Sequence, residues 1–274
     1  MTDDSQKAAS TERGADGHRA AGARQVAGAH QAVDARPVAT ASLPSGRRVA
    51  AFVRHGHFDR PEGVASAHSL FPLSATGREQ ARNAADPILE CCEELGLEID
   101  PRIEASQLLR SWETANLIAE ALASRTGQRF HVVARNELVE RGLGSCANMT
   151  FDRIHEMLAA DPRLAPLPEG WRRMPEFRLP VQGAESLMQA GARTATRVAT
   201  SLESIRAEDA RDVMRLFVAH SGCLRHAAVQ LGALDVRVVA GLSMDFAQSV
   251  FVEKLPNGDW VHVAGQFKKR LPGT

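Results

Sequence analysis

Large apolar side chains fall into a regular pattern only beyond about residue 46. Val49-Ala50-Ala51-Phe52-Val53 is a continuous apolar run closed by Arg54-His55-Gly56. Such a run predicts a strand buried on both faces of a mostly parallel sheet. Val213 to Ala219 is a second run of this kind, closed by His220-Ser221-Gly222. Between them the period changes. Ala81, Ala84, Ala85, Ile88, Leu89, Cys92 and Leu95 recur at helical spacing. Thr76 and Glu79 predict a capping box at the start of that helix, and Gly96 predicts its stop. A brief strand is predicted at Ile103 to Ala105. A helix follows from Leu109 to Ala123, with Trp112, Ala115, Ile118, Ala119 and Leu122 as its buried stripe. Phe130 to Ala134 predicts another strand, and Glu185 to Arg206 another helix. A further helix runs from Gly222 to about Leu231. Ala247 to Glu253 and Trp260 to Ala264 flank Asn257-Gly258, a hairpin signal.

Strands alternating with helices, closed by a hairpin, predict an α/β three-layer sandwich. Its central sheet is mostly parallel, with helices on both faces. Residues 1–46 are rich in Ala, Gly and small polar side chains and predict a disordered tail. Residues 47–274 are the expected domain. Within it, 141–183 carries five prolines and an apolar-poor pattern, and is expected to be an insertion over the active site, helical near Phe151 to Ala160.

Composition narrows the classes of partner. The 33 Lys and Arg balance the 33 Asp and Glu, which argues against nucleic acid or an acidic membrane. No apolar run approaches the roughly 18 residues that span a bilayer. The first residues are polar, with none of the apolar stretch of a secretion signal. The four cysteines form no Cys-x-x-Cys pair, in keeping with a cytoplasmic protein and no zinc site.

Candidate chemistry collects where the two core strands end. In α/β sheets ligands bind at the carboxyl edge of the strands. His55 and His220 follow the two apolar runs, Arg54 precedes one of them, and Arg110 opens the helix after the next strand. Two arginines and two histidines converging on one point suit a tetrahedral dianion, because the guanidinium fork matches phosphate oxygens. Helix N-termini after these turns would add N–H donors. His55-Gly56-His57 also resembles the His-x-His metal pair of amidohydrolase barrels, but neighbouring arginines would repel a metal. Cys223 lacks the arginine that a cysteine phosphatase places six residues on. Ser221 lacks the flanking glycines of a nucleophile elbow. No metal or cofactor is expected.

Further segments, in order, carry a family resemblance. Arg54-His55-Gly56, Leu73-Ser74-Ala75-Thr76-Gly77, Ser106-Gln107-Leu108-Leu109-Arg110, Glu140-Arg141-Gly142, Gly183-Ala184-Glu185-Ser186 and His220-Ser221-Gly222 together resemble the histidine phosphatase superfamily, in its phosphoglycerate mutase-like branch. The resemblance spans Val49 to about Val263. It implies that His55 is a nucleophile forming a phosphohistidine, with Arg54, Arg110 and His220 around the phosphoryl group. It implies that Glu140 is the acid and base, with Glu137 a nearby competitor. The expected activity is hydrolysis of a small phosphorylated metabolite.

The mutases of this family follow Arg-His-Gly with a Ser and an Asn, where this chain has His57-Phe58-Asp59-Arg60. Asn148 also stands where the mutases have Gly. Trp171-Arg172-Arg173, in contrast, resembles their substrate-carboxylate segment. A mutase-type phosphoryl transfer is therefore the alternative, and a non-catalytic phosphate-binding module a third reading. His57, Arg60, Arg172, Arg173 and Ser221 join Arg54 and Arg110 as candidate substrate contacts. Oligomeric state has no signature in the sequence.

Overall fold

The computed structural model describes residues 46–270, apart from 66 and 206–209. The expected tail, except Gly46, lies outside the described residues, as does the expected helix end at Arg206. Strand β1 (Arg48–Arg54) is central. It pairs in parallel with β5 (Val213–Ala219) and antiparallel with β7 (Ser249–Lys254). With β3 (Arg102–Ser106), β4 (His131–Arg135) and β8 (Trp260–Gly265) the sheet runs β4-β3-β5-β1-β7-β8. The short β2 (Glu98–Ile99) also pairs with β5. The hairpin β7-β8 turns at Asn257-Gly258 as the sequence predicts. The fold is the expected α/β sandwich.

Alternation along the strands builds its two cores. Val49, Ala51 and Val53 face one side with Met214, Leu216 and Val218, and pack on α2 (Ala85–Leu95) and α3 (Leu109–Thr126). Ala50 and Phe52 face the other side with Phe217 and Ala219, and pack on α5 (Leu187–Glu203) and α6 (Ser221–Gln230). Every one of these strand residues is 0% exposed, which is why the two runs, Arg215 apart, contain no alternating polar positions.

Several local expectations need correction. The first predicted helix is two: α1 (Ala75–Asn83) and α2. Pro87 lies in the first turn of α2, where a missing N–H is tolerated, so a fresh helix starts there. The N-cap of α1 is Ser74, not Thr76; its hydroxyl accepts from the Gly77 N–H. Trp112 is 44% exposed and outside the buried stripe of α3. Arg110, Ser111 and Thr114 are buried in its place, so this face carries polar groups toward the strand ends.

The 141–183 segment is not apolar-poor in three dimensions. Leu143, Cys146, Ile154, Leu158, Trp171 and Leu179 form a third core of their own around α4 (Phe151–Ala159). Among the short elements the sequence reading missed are β2, α7 (Val236–Val239), β6 (Leu242–Ser243) and β9 (Lys268–Lys269). β6 and β9 pair as a separate two-stranded sheet.

One ionic cluster ties α5 to the sheet. Glu104 on β3 is fully buried. Arg197 donates to its carboxylate at 2.5 and 2.6 Å, Ser201 at 2.9 Å, and Arg102 stands 3.1 Å away. Burial alone would raise the Glu104 pKa, but these partners outweigh it and hold the carboxyl below its usual value. Arg215, the one charged residue inside the apolar run of β5, reaches Asp100 at 2.7 Å and the Ser201 hydroxyl at 2.8 Å. Removing one partner of such a cluster strands buried charge. Glu104→Ala is expected to lower stability by about 3 kcal/mol or more, measured by urea unfolding. A loss within about 0.5 kcal/mol would refute the cluster's structural role.

Candidate active site

The parallel register of β1 and β5 opposes Arg54 and Ala219. The next residues of both strands therefore leave the sheet side by side. His55 N–H donates to the Ala219 carbonyl at 2.9 Å, and the His55 and His220 rings lie 5.0 Å apart. Gly56 then passes the start of α1 closely: a Cβ there would meet the Gly77 carbonyl oxygen at 2.4 Å. Close approach, rather than an unusual backbone angle, is what requires glycine at this position.

His55 has one defined tautomer. Its Nδ1 lies 2.7 Å from the Gly56 carbonyl, which can only accept, so Nδ1 carries the proton. Nε2 is left with a lone pair, which accepts from Arg110 Nε at 3.2 Å. Arg110 is 2% exposed and spreads its remaining donors widely. They reach the Ala67 carbonyl at 2.7 Å, the Ser69 carbonyl at 3.3 Å and His220 Nδ1 at 3.1 Å. His220 Nε2 in turn faces the hydroxyls of Ser106 at 3.0 Å and Ser111 at 3.3 Å. Arg54 stacks on Phe246, its guanidinium carbon 3.7 Å from the ring centroid, and donates to the Met244 carbonyl at 2.6 Å. Its buried Nε has no hydrogen-bond partner.

Electrostatics follow from this crowding. Burial, then the charges of Arg110 and Arg54, push the His55 pKa well below its ordinary value. Burial, Arg110 and His55 do the same for His220. Burial lowers Arg54 and Arg110 to about 10, opposed in part by the Glu140 charge.

Glu140 is held by backbone donors. One carboxylate oxygen accepts from the Gly222 N–H at 2.9 Å. The other accepts from the N–H of Cys223 at 3.0 Å and of Arg141 at 2.8 Å. The expectation that the N-terminus of α6 greets phosphate is thus corrected at these two donors, which serve Glu140. Gly222 makes room for it: a Cβ there would stand 2.3 Å from a Glu140 oxygen. The Gly-Ala-Glu-Ser segment supports the same loop. Glu185 accepts from the Gly142 N–H at 2.9 Å and pairs with Arg193 at 2.8 Å, while Arg193 donates to the Glu140 carbonyl at 3.1 Å.

A cavity of about 410 Å³ opens at this point. Arg54, His55, Arg60, Arg110, Glu140, Arg172, Arg173, His220 and Ser221 all line it. His57 does not: its Nδ1 is 2.8 Å from the Ser74 hydroxyl at the start of α1. Glu137 is exposed and off the cavity. Four arginine or histidine side chains that line it were missed: Arg141, Arg225, His226 and Arg270. Arg141 sits in the Glu140-Arg141-Gly142 segment but was passed over beside Glu140; Arg225, His226 and Arg270 sit in no local pattern that marks them. Arg141 lies 5.8 Å from the Trp171 ring of the insertion, and Arg270 is carried in by β9. Among the described residues no three His, Cys, Asp or Glu are grouped to hold a metal ion. No helix among them is long and apolar enough to cross a membrane.

The lowered histidine values have a sign. Their charged forms are disfavoured, so both rings stay neutral as pH falls past the normal histidine midpoint. In an NMR titration the His55 and His220 signals are expected to stay flat from pH 8 to about 6, assigned by difference with His55→Ala and His220→Ala. Midpoints near 6.5 would contradict the buried, arginine-flanked arrangement.

No curated protein is a significant match to the sequence. Solved structures are similar. A mycobacterial glucosyl-3-phosphoglycerate phosphatase in complex with VO3 is 25% identical at a TM-score of 0.56, covering 81% of this chain and 98% of its own. A protein described as mycobacterial hydrolase 1 is 25% identical at 0.58, with 80% and 97% covered. A phosphoglycerate mutase from Bacillus anthracis shares the fold at 17% identity and 0.58, with 81% and 94% covered. A family model matches residues 50–263, the span that holds most of both core strands and the Glu140 loop. The chain belongs to the histidine phosphatase superfamily, branch 1.

Proposed function

We propose that this protein is a phosphomonoesterase that hydrolyses a small phosphorylated metabolite through a phosphohistidine on His55. One observation carries the reading. The Nε2 lone pair of His55 is set by the Gly56 carbonyl and opens on a cavity that, among the described residues, has eight arginines and a single carboxylate, Glu140.

The chemistry follows from that arrangement. An incoming phosphoryl group draws Arg110 Nε from the lone pair toward its own oxygens. His55 Nε2 then attacks phosphorus in line. The N–P bond forms as the ester O–P bond breaks. Arg54, Arg110 and His220 hold the equatorial oxygens as charge spreads over them. Glu140, in its protonated form, gives its proton to the departing alkoxide. Its carboxylate next takes a proton from water, whose oxygen attacks phosphorus and releases the imidazole. No step calls for a metal.

The arginine excess favours an anionic substrate. The mycobacterial neighbour, named for an ester that is both sugar-like and acidic, supports the same class. Arg172 and Arg173 on the cavity wall keep a mutase-type transfer as the second reading. The intact His55, Arg54, Arg110, Glu140 and His220 set disfavours a non-catalytic binding module. We place the protein in the cytoplasm, a reading its unpaired, buried cysteines are consistent with.

An aryl phosphate is expected to be hydrolysed in excess chelator and inhibited by vanadate. His55→Ala is expected to lower kcat by about a thousandfold or more. Loss of activity with chelator, or ready turnover by His55→Ala, would overturn the reading. Interconversion of phosphoglycerate isomers without phosphate release would favour the mutase.

Glu140→Ala is expected to slow alkyl phosphates about a hundredfold more than activated aryl phosphates, which need little protonation. Gly222→Ala, which pushes Glu140 from its donors, is expected to shift the same ratio in the same direction. An unchanged ratio in Glu140→Ala would move the acid role elsewhere.

A further inference from the structure

The phosphoryl site accounts for Arg54 and Arg110, and the family resemblance for Arg172 and Arg173. Arg60, Arg141, Arg225 and Arg270 remain, and of these Arg225 and Arg270 have guanidiniums pinned on backbone carbonyls. Both line the same cavity. Arg225 is 3% exposed on α6. Its Nε donates to the Ser221 carbonyl and hydroxyl at 3.0 and 3.2 Å, and its Nη1 to the Val239 carbonyl at 2.5 Å. Nη2 meets no partner among the described residues.

Arg270 arrives from the other end of the chain. Pairing of β9 with β6 sets its course, and its N–H donates to the Gly241 carbonyl at 2.9 Å. Its Nε is pinned on the Leu242 carbonyl at 2.7 Å. Both terminal nitrogens have no partner among the described residues. A guanidinium fixed at Nε presents a rigid, open fork. Neither arginine is in a salt bridge among the described residues. Glu140, the only carboxylate on the cavity, is committed to backbone donors. Burial and the like charge of Arg173 depress the Arg270 pKa; burial and Arg270 itself lower Arg225 to about 10. Holding these cations without a counter-charge costs stability, which an anion in the cavity would offset.

We propose that Arg270, backed by Arg225 and the Ser221 and Ser243 hydroxyls, forms a second anion subsite for a carboxylate or second phosphate on the substrate. This rests on the phosphatase reading and extends it: the preferred ester carries two acidic groups, gripped by separate arginine pairs. The subsite exists only because the chain's last strand returns to the site, so it couples substrate choice to the C-terminal segment.

Binding tests this without relying on turnover. In the full-length His55→Ala protein, calorimetry compares 3-phosphoglycerate with glycerol 3-phosphate, which lacks the carboxylate. It also compares glucose 1,6-bisphosphate with glucose 6-phosphate, which lacks the second phosphate. At least one doubly acidic ligand is expected to bind about tenfold or more tighter than its partner. Adding Arg270→Gln is expected to abolish most of that preference, and Arg270→Lys, which keeps charge but loses the fork, to remove part of it. The pair that responds identifies the group as carboxylate or phosphate.

No preference in either pair overturns the proposal. So does a preference that survives Arg270→Gln, or one lost only with Arg172→Gln. Thermal melting of each variant checks its fold. Should Arg270→Gln fail to fold, Arg270→Lys decides by the same criterion. Failure of the wild-type chain to release phosphate from an aryl ester would retire the phosphatase reading separately.

Discussion

The parallel register between β1 and β5 is the constraint on which the site depends. Seven residue pairs are matched in order, ending at Arg54 and Ala219. A slip of one residue would reverse the side chains of a strand buried on both faces. Here that would exchange Phe52, which meets Phe217 edge-on at 6.4 Å, for a smaller neighbour. It would also part the two imidazoles that share Arg110. The two hydrophobic cores therefore fix the separation of two polar side chains that neither core contains. Packing specificity is converted into catalytic geometry at the sheet edge.

Around that edge, polar groups are positioned in tiers. Thr114 accepts from the Gly56 N–H and donates to the Arg110 carbonyl, joining the first strand turn to the helix that carries the arginine. Ser106 and Ser111 orient His220. Glu185 and Arg193 brace the Glu140 loop. The short segments that line the cavity thus also hold one another in place.

The two core strands and their histidines are legible because a continuous apolar run followed by a polar turn has few other outcomes in an α/β chain. The rest depends on information that no window contains. Ser74 rather than Thr76 caps α1 because its hydroxyl also meets the His57 ring and carbonyl, a contact made only when the loop folds back. Periodicity puts Trp112 inside with Ala115, Ile118, Ala119 and Leu122, and those four are buried. The first turn of α3 buries Arg110 and Ser111 instead of Trp112, because acceptors for Arg110 lie in the loops beside it. The proline-rich segment looks poor in core residues because its apolar side chains are spread out and meet only around Trp171. Arg225 and Arg270 are invisible for the same reason: a lone arginine has no pattern.

The hydrogen bond from Arg110 Nε to His55 Nε2 has a consequence for chemical reactivity. The only lone pair of the His55 ring is already engaged by a cation. An electrophile without negative charge competes only weakly for the guanidinium, so alkylating and acylating species meet a partly masked imidazole. A phosphate ester carries the oxygens that compete for that same donor. In the mechanism proposed above, Arg110 would thus be both the group that steadies the phosphoryl oxygens and the latch on the His55 lone pair.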